Sequence, residues 1–489
     1  MGLEKIEHFV VLMLENRSFD HIFGLRHGVD GLLDGRGRIP FFNRIARGKR
    51  VPAAGGAPFA IPTKHGLGPF HNLLDVNEQI FGTSSPAAGA PATMGGFASN
   101  YVKALTADTR GQFTDRDVAV VMQSFTVGTL PTITALADHF VLCDAWFSEV
   151  PGPTHPNRLY MHAGTSAGFI HNVFRRPFDL LTIYELLERH NRTWAVYDFD
   201  LNEVKLFTRI AGKVDHFRRF SPRFAQDIAT GALPNYAFIL PRFTSTHHAE
   251  ANDQHPPHDV RWGEQLVADV YDTLRATEAV WNQSAFIVTY DEHGGFYDHV
   301  APPQAENPDG IDSPRPDDNF HNHPPPPFAF DRLGVRVPAL VASPWVGKGV
   351  VVHTPLQHTS ILRTVRDRFG ITQVLSVREG QAGSLQFLFD QPQARTDTPA
   401  KLPRPSMSVL APADHHANPG NQWPHELQRE MLAGTFRATR PSHPEDDDTL
   451  PTIPSTQVEV ARVAHRRWSR HDQWLRQSAG RVSIGSRER

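Results

Sequence analysis

The first residues that could do chemistry lie directly after an apolar run near the start of the chain. Glu15 and Asn16 follow the segment from Ile6 to Leu14, whose hydrophobic residues predict a buried strand. A carboxylate and an amide at the carboxyl end of such a strand stand where open α/β sheets build their active sites. The alternative is a polar turn that caps the next helix.

A second polar cluster of the same character follows another β-prone run. Ser284 to Tyr290 ends in Asp291 and Glu292, and the glycines at 294 and 295 then allow the backbone to turn tightly. Adjacent carboxylates are ligands that a hard divalent cation prefers, whereas the simpler interpretation is a salt-bridged turn. Because independent turns have no reason to agree in chemistry, the two strand ends favour one shared metal site.

A hydroxyl group that could act as a nucleophile precedes a helix-compatible stretch. Thr154 lies in the sequence Gly-Pro-Thr-His-Pro-Asn-Arg at 152–158, at or just before a helix N-terminus. Unpaired backbone N–H groups there favour negative charge, both on a threonine alkoxide and on a bound phosphate. A plain N-cap is the alternative. Asn157, on the first helical turn, is placed to hydrogen-bond the phosphate or to orient the loop.

These segments resemble a bacterial phosphoesterase family that contains phosphatidylcholine-cleaving phospholipases C and acid phosphatases, within the alkaline-phosphatase-like superfamily. The resemblance runs from about Ile6 to Phe369 and includes the segments 94–97, 140–144 and 330–338. It implies a divalent cation held by a Glu-Asn pair, an acidic pair and a Ser or Thr nucleophile. The matching residues of this chain are Glu15, Asn16, Thr154, Asp291 and Glu292.

The resemblance also implies catalytic histidines and bears on the substrate. Family histidines near the phosphate match His71 and His255, and the second lies in the family signature Asn-Asp-x-His-Pro-Pro. A further histidine pair of the acid phosphatases aligns near Trp194 to Asp200, where this chain has none. The resemblance associates a Thr nucleophile with the phospholipases C and a Ser with the acid phosphatases. Both departures favour the phospholipase C type.

The predicted function is therefore a metal-dependent phosphodiesterase that forms a phosphothreonine at Thr154. An oxygen-rich ligand set selects one hard cation such as Mg²⁺, Ca²⁺ or Mn²⁺. His71 and His255 are candidates for binding phosphate oxygens or protonating the leaving alkoxide. An acid phosphatase is the alternative activity, and a non-catalytic protein that binds a phospho-ligand is the alternative of another class. An aromatic rim that would attract a cationic head group is expected from Trp146, Tyr197, Phe199 and Trp345.

The elements that position these residues alternate between strand and helix patterns, which predicts an α/β fold with a mostly parallel central sheet. The resemblance makes this an alkaline-phosphatase-like three-layer α/β/α sandwich with long insertions and an irregular C-terminal extension. The strand candidates are 6–14, 140–144, 193–197, 236–240, 284–290 and 337–342. The helix candidates are 180–190, 263–276 and 359–369.

Two parts of the chain are predicted. Residues 1–393 form the catalytic domain, with an irregular insertion at about 38–98 that carries His71 and a rim loop or lid at about 301–328. Residues 394–489 form an irregular C-terminal extension. Its last helix, predicted at 458–477, has a partial apolar face that favours docking on the enzyme over lying on a membrane.

Composition is that of a soluble enzyme. The 489 residues are 40% hydrophobic, and 49 basic residues nearly balance 52 acidic ones, so no global field favours nucleic acid or an anionic membrane. Any membrane contact is expected to be peripheral and local, with a phosphoester or phospholipid as the substrate. Cys143, the single cysteine, excludes an intramolecular disulfide and is expected to be buried. Oligomeric state stays open.

No export signal is visible before the first strand. A cytoplasmic location is therefore expected if Met1 is the native start, whereas a trimmed periplasmic or secreted protein would look the same.

Overall fold

The computed structural model describes residues 2–61, 63–64, 66–172, 177–246, 248–314, 327–407, 424, 426–439 and 454–485. Within these ranges one large sheet contains eight strands in the order β13-β6-β12-β11-β1-β10-β8-β9. Its strands are β1 His8–Leu14, β6 Val141–Cys143, β8 Trp194–Asp198, β9 Phe217–Arg219, β10 Tyr236–Ile239, β11 Ser284–Tyr290, β12 Ala339–Ala342 and β13 Val350–Val352.

Pairing in this sheet is parallel except on the two sides of β12, which is antiparallel to β11 and to β6. Shorter strands lie outside it: β2 Phe42–Arg44, β3 Arg50–Pro52, β4 Ala54–Gly55, β5 Gln123–Ser124, β7 Trp146–Phe147 and β14 Leu356–Gln357. The predicted α/β class with a mostly parallel sheet is confirmed.

The α-helices alternate with these strands along the chain. They are α1 Phe19–Phe23, α2 Leu73–Phe81, α3 Phe97–Thr109, α4 Asp115–Ala119, α5 Pro131–His139, α6 Thr154–Ala163, α7 Ile183–Arg189, α8 Thr208–Ala211, α9 Phe220–Ala229, α10 Val260–Arg275, α11 Glu278–Trp281, α12 Thr359–Phe369, α13 Val377–Gln381, α14 Glu426–Thr439 and α15 Gln457–Gly485.

The central strand β1 explains why the sequence there is so apolar. Phe9 to Leu14 are fully buried, because β10 and β11 flank the strand and helices cover the sheet. Phe9, for example, meets Phe369 of α12 edge to face, with ring centroids 6.0 Å apart. Parallel neighbours bring the carboxyl ends of β1 and β11 to the same edge of the sheet, as the metal-site prediction requires.

The insertion at 38–98 is not the irregular segment that its composition predicts. It contains β2, β3, β4 and α2, and it adds a second hydrophobic cluster beside the main core. Val76, Ile80 and Phe97 pack in this cluster with Phe296 and Tyr297, which follow the acidic pair. The insertion therefore buttresses the loop after β11.

The predicted rim loop at 301–328 lies partly outside the described residues, since 315–326 are not among them. In its described part, Ser313 forms a β-bridge with Phe328, and Gln304 forms another with Arg332. The role of this loop as a lid stays a prediction.

The last helix docks on the catalytic domain, as its apolar face predicts. Val460, Ala464 and Trp468 of α15 are buried and belong to the main core, whereas Trp474 is more than a third exposed. The helix spans Gln457–Gly485 and is longer than predicted. Among the residues in view, no helix is both long and apolar enough to cross a bilayer.

Candidate metal and phosphate site

The ends of β1 and β11 meet because the two strands pair in register. Leu14 lies opposite Tyr290, so the residues that follow each strand are neighbours. The backbone N–H of Asn16 donates to Asp291 Oδ1 at 3.0 Å, and the N–H of Arg17 donates to the carbonyl of Glu292 at 3.0 Å. The predicted Glu-Asn and Asp-Glu pairs thus form one cluster.

Tight backbone turns hold the two pairs against each other. Asn16 has φ 59°, a left-handed conformation that Asn tolerates better than most residues. Gly294 has φ +65°, and a Cβ there would lie 2.4 Å from the Asn16 carbonyl oxygen. Only glycine fits that approach, so the predicted turn after Glu292 is present and is required by Asn16.

Thr154 occupies the predicted end of a helix. It is the first residue of α6, follows Pro153 at the N-cap, and is fully buried. Its hydroxyl lies beside Asp291 but does not reach that carboxyl in normal hydrogen-bond geometry.

Asn157 clamps the loop that presents Thr154. Its side-chain oxygen accepts from the N–H of Val150 at 3.0 Å, and its amide nitrogen lies 3.3, 3.1 and 3.0 Å from the carbonyls of Val150, Gly152 and Pro153. The amide is occupied by backbone groups, so Asn157 orients the loop. Direct contact with a phosphate, the other role considered for it, does not fit this geometry.

The predicted metal ligands share an unusual property: each presents a buried oxygen that lacks a hydrogen bond in the described structure. One oxygen of Asp291 accepts from two backbone N–H groups and one oxygen of Glu292 accepts from Gly294, while the second oxygen of each carboxylate has no such partner. These atoms are Glu15 Oε1 and Oε2, Asn16 Oδ1, Thr154 Oγ, Asp291 Oδ2 and Glu292 Oε1. Three of them have an ion-pair neighbour instead: Arg158 lies near Glu15 Oε1 and Asp291 Oδ2, and His71 lies near Glu292 Oε1. Buried polar atoms are normally satisfied.

Crowding of these carboxylates shifts their acidity. Burial raises the pKa of Glu292 to about 8, opposed by His71 and reinforced by Asp291. Burial likewise raises the pKa of Glu15 and of Asp291, and Arg158 opposes both shifts. The protein surroundings therefore do not by themselves favour ionisation of all three carboxylates. An oxygen-rich, anionic and buried donor set of this kind fits a hard divalent cation.

Arg158 is the main residue that the sequence reasoning missed. It lies one helical turn after Thr154 and is almost wholly buried, with Nη2 2.8 Å from Glu15 Oε1, Nη1 3.0 Å from Glu203 Oε1 and Nε 3.6 Å from Asp291 Oδ2. The available signal was its spacing, since residues four apart share a helix face. It is the fixed positive charge of the cluster.

His71 lies against Asn16 and Glu292, and His255 lies beside His71. His71 Nε2 is 3.2 Å from the Asn16 amide nitrogen and 3.6 Å from Glu292 Oε1, and its ring centroid is 6.2 Å from that of His255. The Nδ1 of His71 bonds the carbonyl of Pro69, and the Nδ1 of His255 that of Pro256. Burial, followed by the charges of His71 and His258, holds the pKa of His255 well below its ordinary value.

Comparison with known proteins decides the family. Residues 6–372 match the model of the Phosphoesterase family. The chain belongs to this family. It is accordingly a hydrolase that acts on phosphoric esters.

Similar proteins include three named phospholipases C. The phosphoesterase is 37% identical to non-specific phospholipase C3 of Arabidopsis thaliana, over 81% of this chain and 76% of the relative. It is 36% identical to non-specific phospholipase C5 of the same plant, over 82% and 77%. Phospholipase C B of Mycobacterium tuberculosis is 30% identical, over 83% and 82%. A Vibrio parahaemolyticus structure from the alkaline phosphatase superfamily matches 52% of this chain and 64% of that chain, with 9% identity and a TM-score of 0.32.

A second acidic cluster of the phosphoesterase has the spacing of a metal site but is already neutralised. Atoms of Asp20, Asp298 and His299 lie within 4.8 Å of one another. Arg336 enters this cluster, with Nε 2.9 Å from Asp298 and Nη2 3.1 Å from Asp20, while His299 bonds Asp20 at 2.7 Å. The arrangement is an internal ion-pair network that joins α1 to the loop after β11.

His358 is buried behind the acidic pair and contacts it through a backbone carbonyl. Its Nε2 lies 2.8 Å from the carbonyl of Asp291, and its Nδ1 accepts from the indole of Trp146 at 3.1 Å. Burial lowers its pKa to about 4, so it is neutral. It acts as a scaffold for the acidic pair.

The predicted aromatic rim is wrong for two of its members. Trp146 is fully buried against His358, and Tyr197 is buried with its hydroxyl donating to Asp227 at 2.7 Å. Trp345 donates its indole N–H to the carbonyl of Asn282 at 2.8 Å. Phe199, the fourth candidate, stacks on Phe220. Aromatic composition near a motif did not reveal which rings face the core.

Proposed function

We propose that this phosphoesterase is a metal-dependent phosphodiesterase of the phospholipase C type that acts through a covalent phosphothreonine at Thr154. The supporting observation is that six buried oxygen atoms of Glu15, Asn16, Thr154, Asp291 and Glu292 lack a hydrogen bond, on segments that the pairing of β1 with β11 and the start of α6 provide. Glu15, Asn16, Asp291 and Glu292 would hold one divalent cation together with the Thr154 oxygen. When bound, that cation would supply Lewis-acid stabilisation of the Thr154 alkoxide and of charge on the phosphoryl oxygens.

The first half-reaction transfers the substrate's phosphoryl group to Thr154, with its second ester substituent still attached to phosphorus. The Thr154 oxygen attacks phosphorus in line, its proton passes to a neutral histidine, and the bond between phosphorus and the leaving alkoxide breaks. The same histidine then gives that proton to the alkoxide. His255 and His71 are the candidates for this role, because their rings lie beside each other, with centroids 6.2 Å apart, and His71 lies against Asn16 and Glu292.

The second half-reaction hydrolyses the phosphothreonine. Water attacks phosphorus, the histidine accepts its proton, and the Thr154 oxygen leaves and recovers a proton. The positive end of the α6 dipole would stabilise negative charge on the phosphoryl oxygens in both halves, although the N–H of His155 already donates to the side chain of Asn172. Arg158 holds Glu15 and Asp291 in place throughout.

The diester substrate is favoured by two observations. The similar proteins named above are phospholipases C, and the segment near Trp194 to Asp200 lacks the histidine pair that the acid phosphatases carry. Because Trp146 and Tyr197 are buried, they cannot make the cation–π contacts expected to select a cationic head group. The proposed substrate class is a phospholipid phosphodiester, reached by peripheral contact with a lipid surface.

The decisive experiment compares turnover of p-nitrophenyl phosphorylcholine and p-nitrophenyl phosphate on one preparation with measured metal content. Wild type should prefer the diester, Thr154→Ala should lose all but a few per cent of turnover while keeping its metal, and Thr154→Ser should stay active. Thr106→Ala, which removes an exposed helical hydroxyl, is the matched control and should match wild type.

Each other outcome has a defined meaning. A clear preference for the monoester would make the protein an acid phosphatase, and activity on neither substrate would favour a phospho-ligand binding protein. Full activity of Thr154→Ala would place the nucleophile elsewhere. Mass spectrometry of acid-quenched enzyme should find one added phosphorylcholine group on the peptide that contains Thr154 when p-nitrophenyl phosphorylcholine is the substrate.

A further inference from the structure

A cavity of about 290 Å³ opens between the catalytic domain and the last helix, away from the metal ligands. We call it the arginine cavity. Its floor comes from the carboxyl ends of β8 and β10 and the end of β9, and one wall comes from α15. The lining residues are Phe199, Asp200, Arg219, Arg242, Thr246, Val458, Ala461, Arg462 and His465.

Positive charge in this cavity is only partly balanced. Arg219 pairs with Asp198 at 2.8 Å. Arg462 is exposed, and no carboxylate of the described residues lies within ion-pair distance of it. Arg242 is half-buried, and its Nη1 donates to the carbonyl of Glu250 at 3.0 Å. Two of the three guanidinium groups therefore have no acidic side chain bonded to them.

The one carboxylate that lines the cavity is engaged elsewhere. Asp200 Oδ1 accepts from the N–H groups of Leu201 and Phe243, and its Oδ2 accepts from the N–H and the hydroxyl of Thr244. Burial lowers the pKa of Arg242, Asp200 opposes this, and the charge of Arg219 adds to it. The arginines thus repel each other across the cavity, and an anion between them would relieve that repulsion.

We propose that the arginine cavity is an anion site that binds a phosphoryl group. Guanidinium groups match phosphate oxygens with two parallel hydrogen bonds, which an isolated surface charge does not provide. The guanidinium of Arg242 lies over the ring of Phe199, 4.7 Å from the ring centroid, and this contact helps to fix the position of Arg242 in the cavity wall. Val458 and Ala461 add a small apolar surface beside the anion. The ligand is either free phosphate or a phosphomonoester, or the phosphate of a lipid head group.

The site is separate from the metal centre but shares a loop with it. Arg242 pairs through its backbone with Asn252, and the next residue, Asp253, accepts the N–H of Glu15 at 2.8 Å. None of the cavity's residues is a predicted metal ligand. The proposal therefore stands whether or not the metal chemistry above is correct.

Equilibrium dialysis of the full-length, metal-loaded protein with labelled inorganic phosphate tests the site. Arg462→Gln and Arg242→Gln should each weaken one class of bound phosphate by about tenfold or more, which is the effect of losing a charge-assisted hydrogen bond. Arg466→Gln, an exposed arginine of the same helix outside the cavity, should bind as wild type does. Circular dichroism and the fluorescence of buried Trp468 would show that α15 stays docked.

Sedimentation with vesicles distinguishes the two sources of phosphate. Capture by phosphatidylcholine vesicles that contain phosphatidic acid, lost in Arg462→Gln but kept in Arg466→Gln, would identify a lipid head group. Binding of free phosphate without such capture would identify a soluble anion. The proposal would be overturned if Arg462→Gln and Arg242→Gln bound both ligands as tightly as wild type does. It would also be overturned if wild type showed no second class of bound phosphate at millimolar concentration.

Discussion

The side-chain nitrogen of Gln457, the first residue of α15, lies 3.4 Å from Nε2 of His258. His258 Nδ1 in turn bonds Asp253 Oδ1 at 2.7 Å, and the carbonyl of Asp253 accepts the N–H of Glu15. The side-chain oxygen of Gln457 also accepts from the N–H of Ser245 at 2.7 Å. The C-terminal extension is therefore joined to the candidate metal site by a short series of buried polar contacts.

Gln457→Leu should weaken metal binding without touching a ligand. Without this contact the position of His258 is less fixed, and so is that of Glu15, which His258 supports through Asp253. Changes of this kind around metal ligands typically lower metal affinity about 10- to 100-fold. Isothermal titration of the metal-free protein would measure it. Gln473→Leu, on an exposed position of the same helix, is the control, and equal affinities in the two variants would show that the contact is unimportant.

Divalent metal should stabilise the fold. Ligand binding to the native state alone adds about 2.7 kcal/mol to the free energy of unfolding at a hundredfold excess over Kd. Thermal unfolding with and without Mg²⁺, Ca²⁺ or Mn²⁺ should show a rise in Tm for wild type and little for Asp291→Asn, which keeps the Oδ1 that accepts from Asn16 and Glu292. An equal rise in both proteins would place the metal elsewhere.

Asn157→Ala should cost both stability and turnover. It removes the buried hydrogen bonds that hold the loop before Thr154, so we expect a loss of about 1–3 kcal/mol in the free energy of unfolding and a large fall in kcat. Asn43→Ala is a matched control, because Asn43 is also buried and bonds the backbone of Met94 and Ala98. If Asn43→Ala lowers kcat as much as Asn157→Ala does, the loss reflects general destabilisation and Asn157 has no specific role at the site.

Glu264 should make stability fall as the pH rises. Its carboxylate accepts from the N–H groups of Thr132 and Ile133 at the start of α5, but burial raises its pKa from 4.5 to about 7. Folding therefore favours the protonated form. This stabilisation is complete below pH 4.5 and is lost as the pH rises through 7.

Comparison with Glu264→Gln isolates this group. The free energy of unfolding of wild type, relative to the variant, should fall by about 2 kcal/mol between pH 5.5 and pH 8. Denaturant unfolding of both proteins across that range measures the difference. A constant difference would mean that Glu264 keeps its ordinary acidity in the folded protein.

Local sequence patterns predicted the strands and their polar ends well. The predicted strand at 284–290 has the same first and last residues as β11. The polar pairs that follow β1 and β11 are neighbours, as expected. They could be predicted because strand burial and the position after a strand are local properties. The residue types then limited the chemistry to oxygen ligation and a hydroxyl nucleophile.

Other features depended on contacts between distant segments. The partners of Arg158 are Glu15, Glu203 and Asp291, and no local pattern joins them. The burial of Trp146 and the ordered insertion at 38–98 likewise follow from tertiary packing. Composition rich in Gly, Ala and Pro hid a folded segment whose core is completed by residues after β11.

The central place of β1 has a consequence for synthesis of the protein. Its register partners include Ala237 and Phe286, so the strand leaves the ribosome long before the segments that pair with it exist. Until then the nascent chain exposes an apolar, strand-prone stretch with open edges, a form prone to aggregation. Chains interrupted before β10 should therefore accumulate on holding chaperones or in inclusion bodies, and the yield of native enzyme should depend on how long that interval lasts.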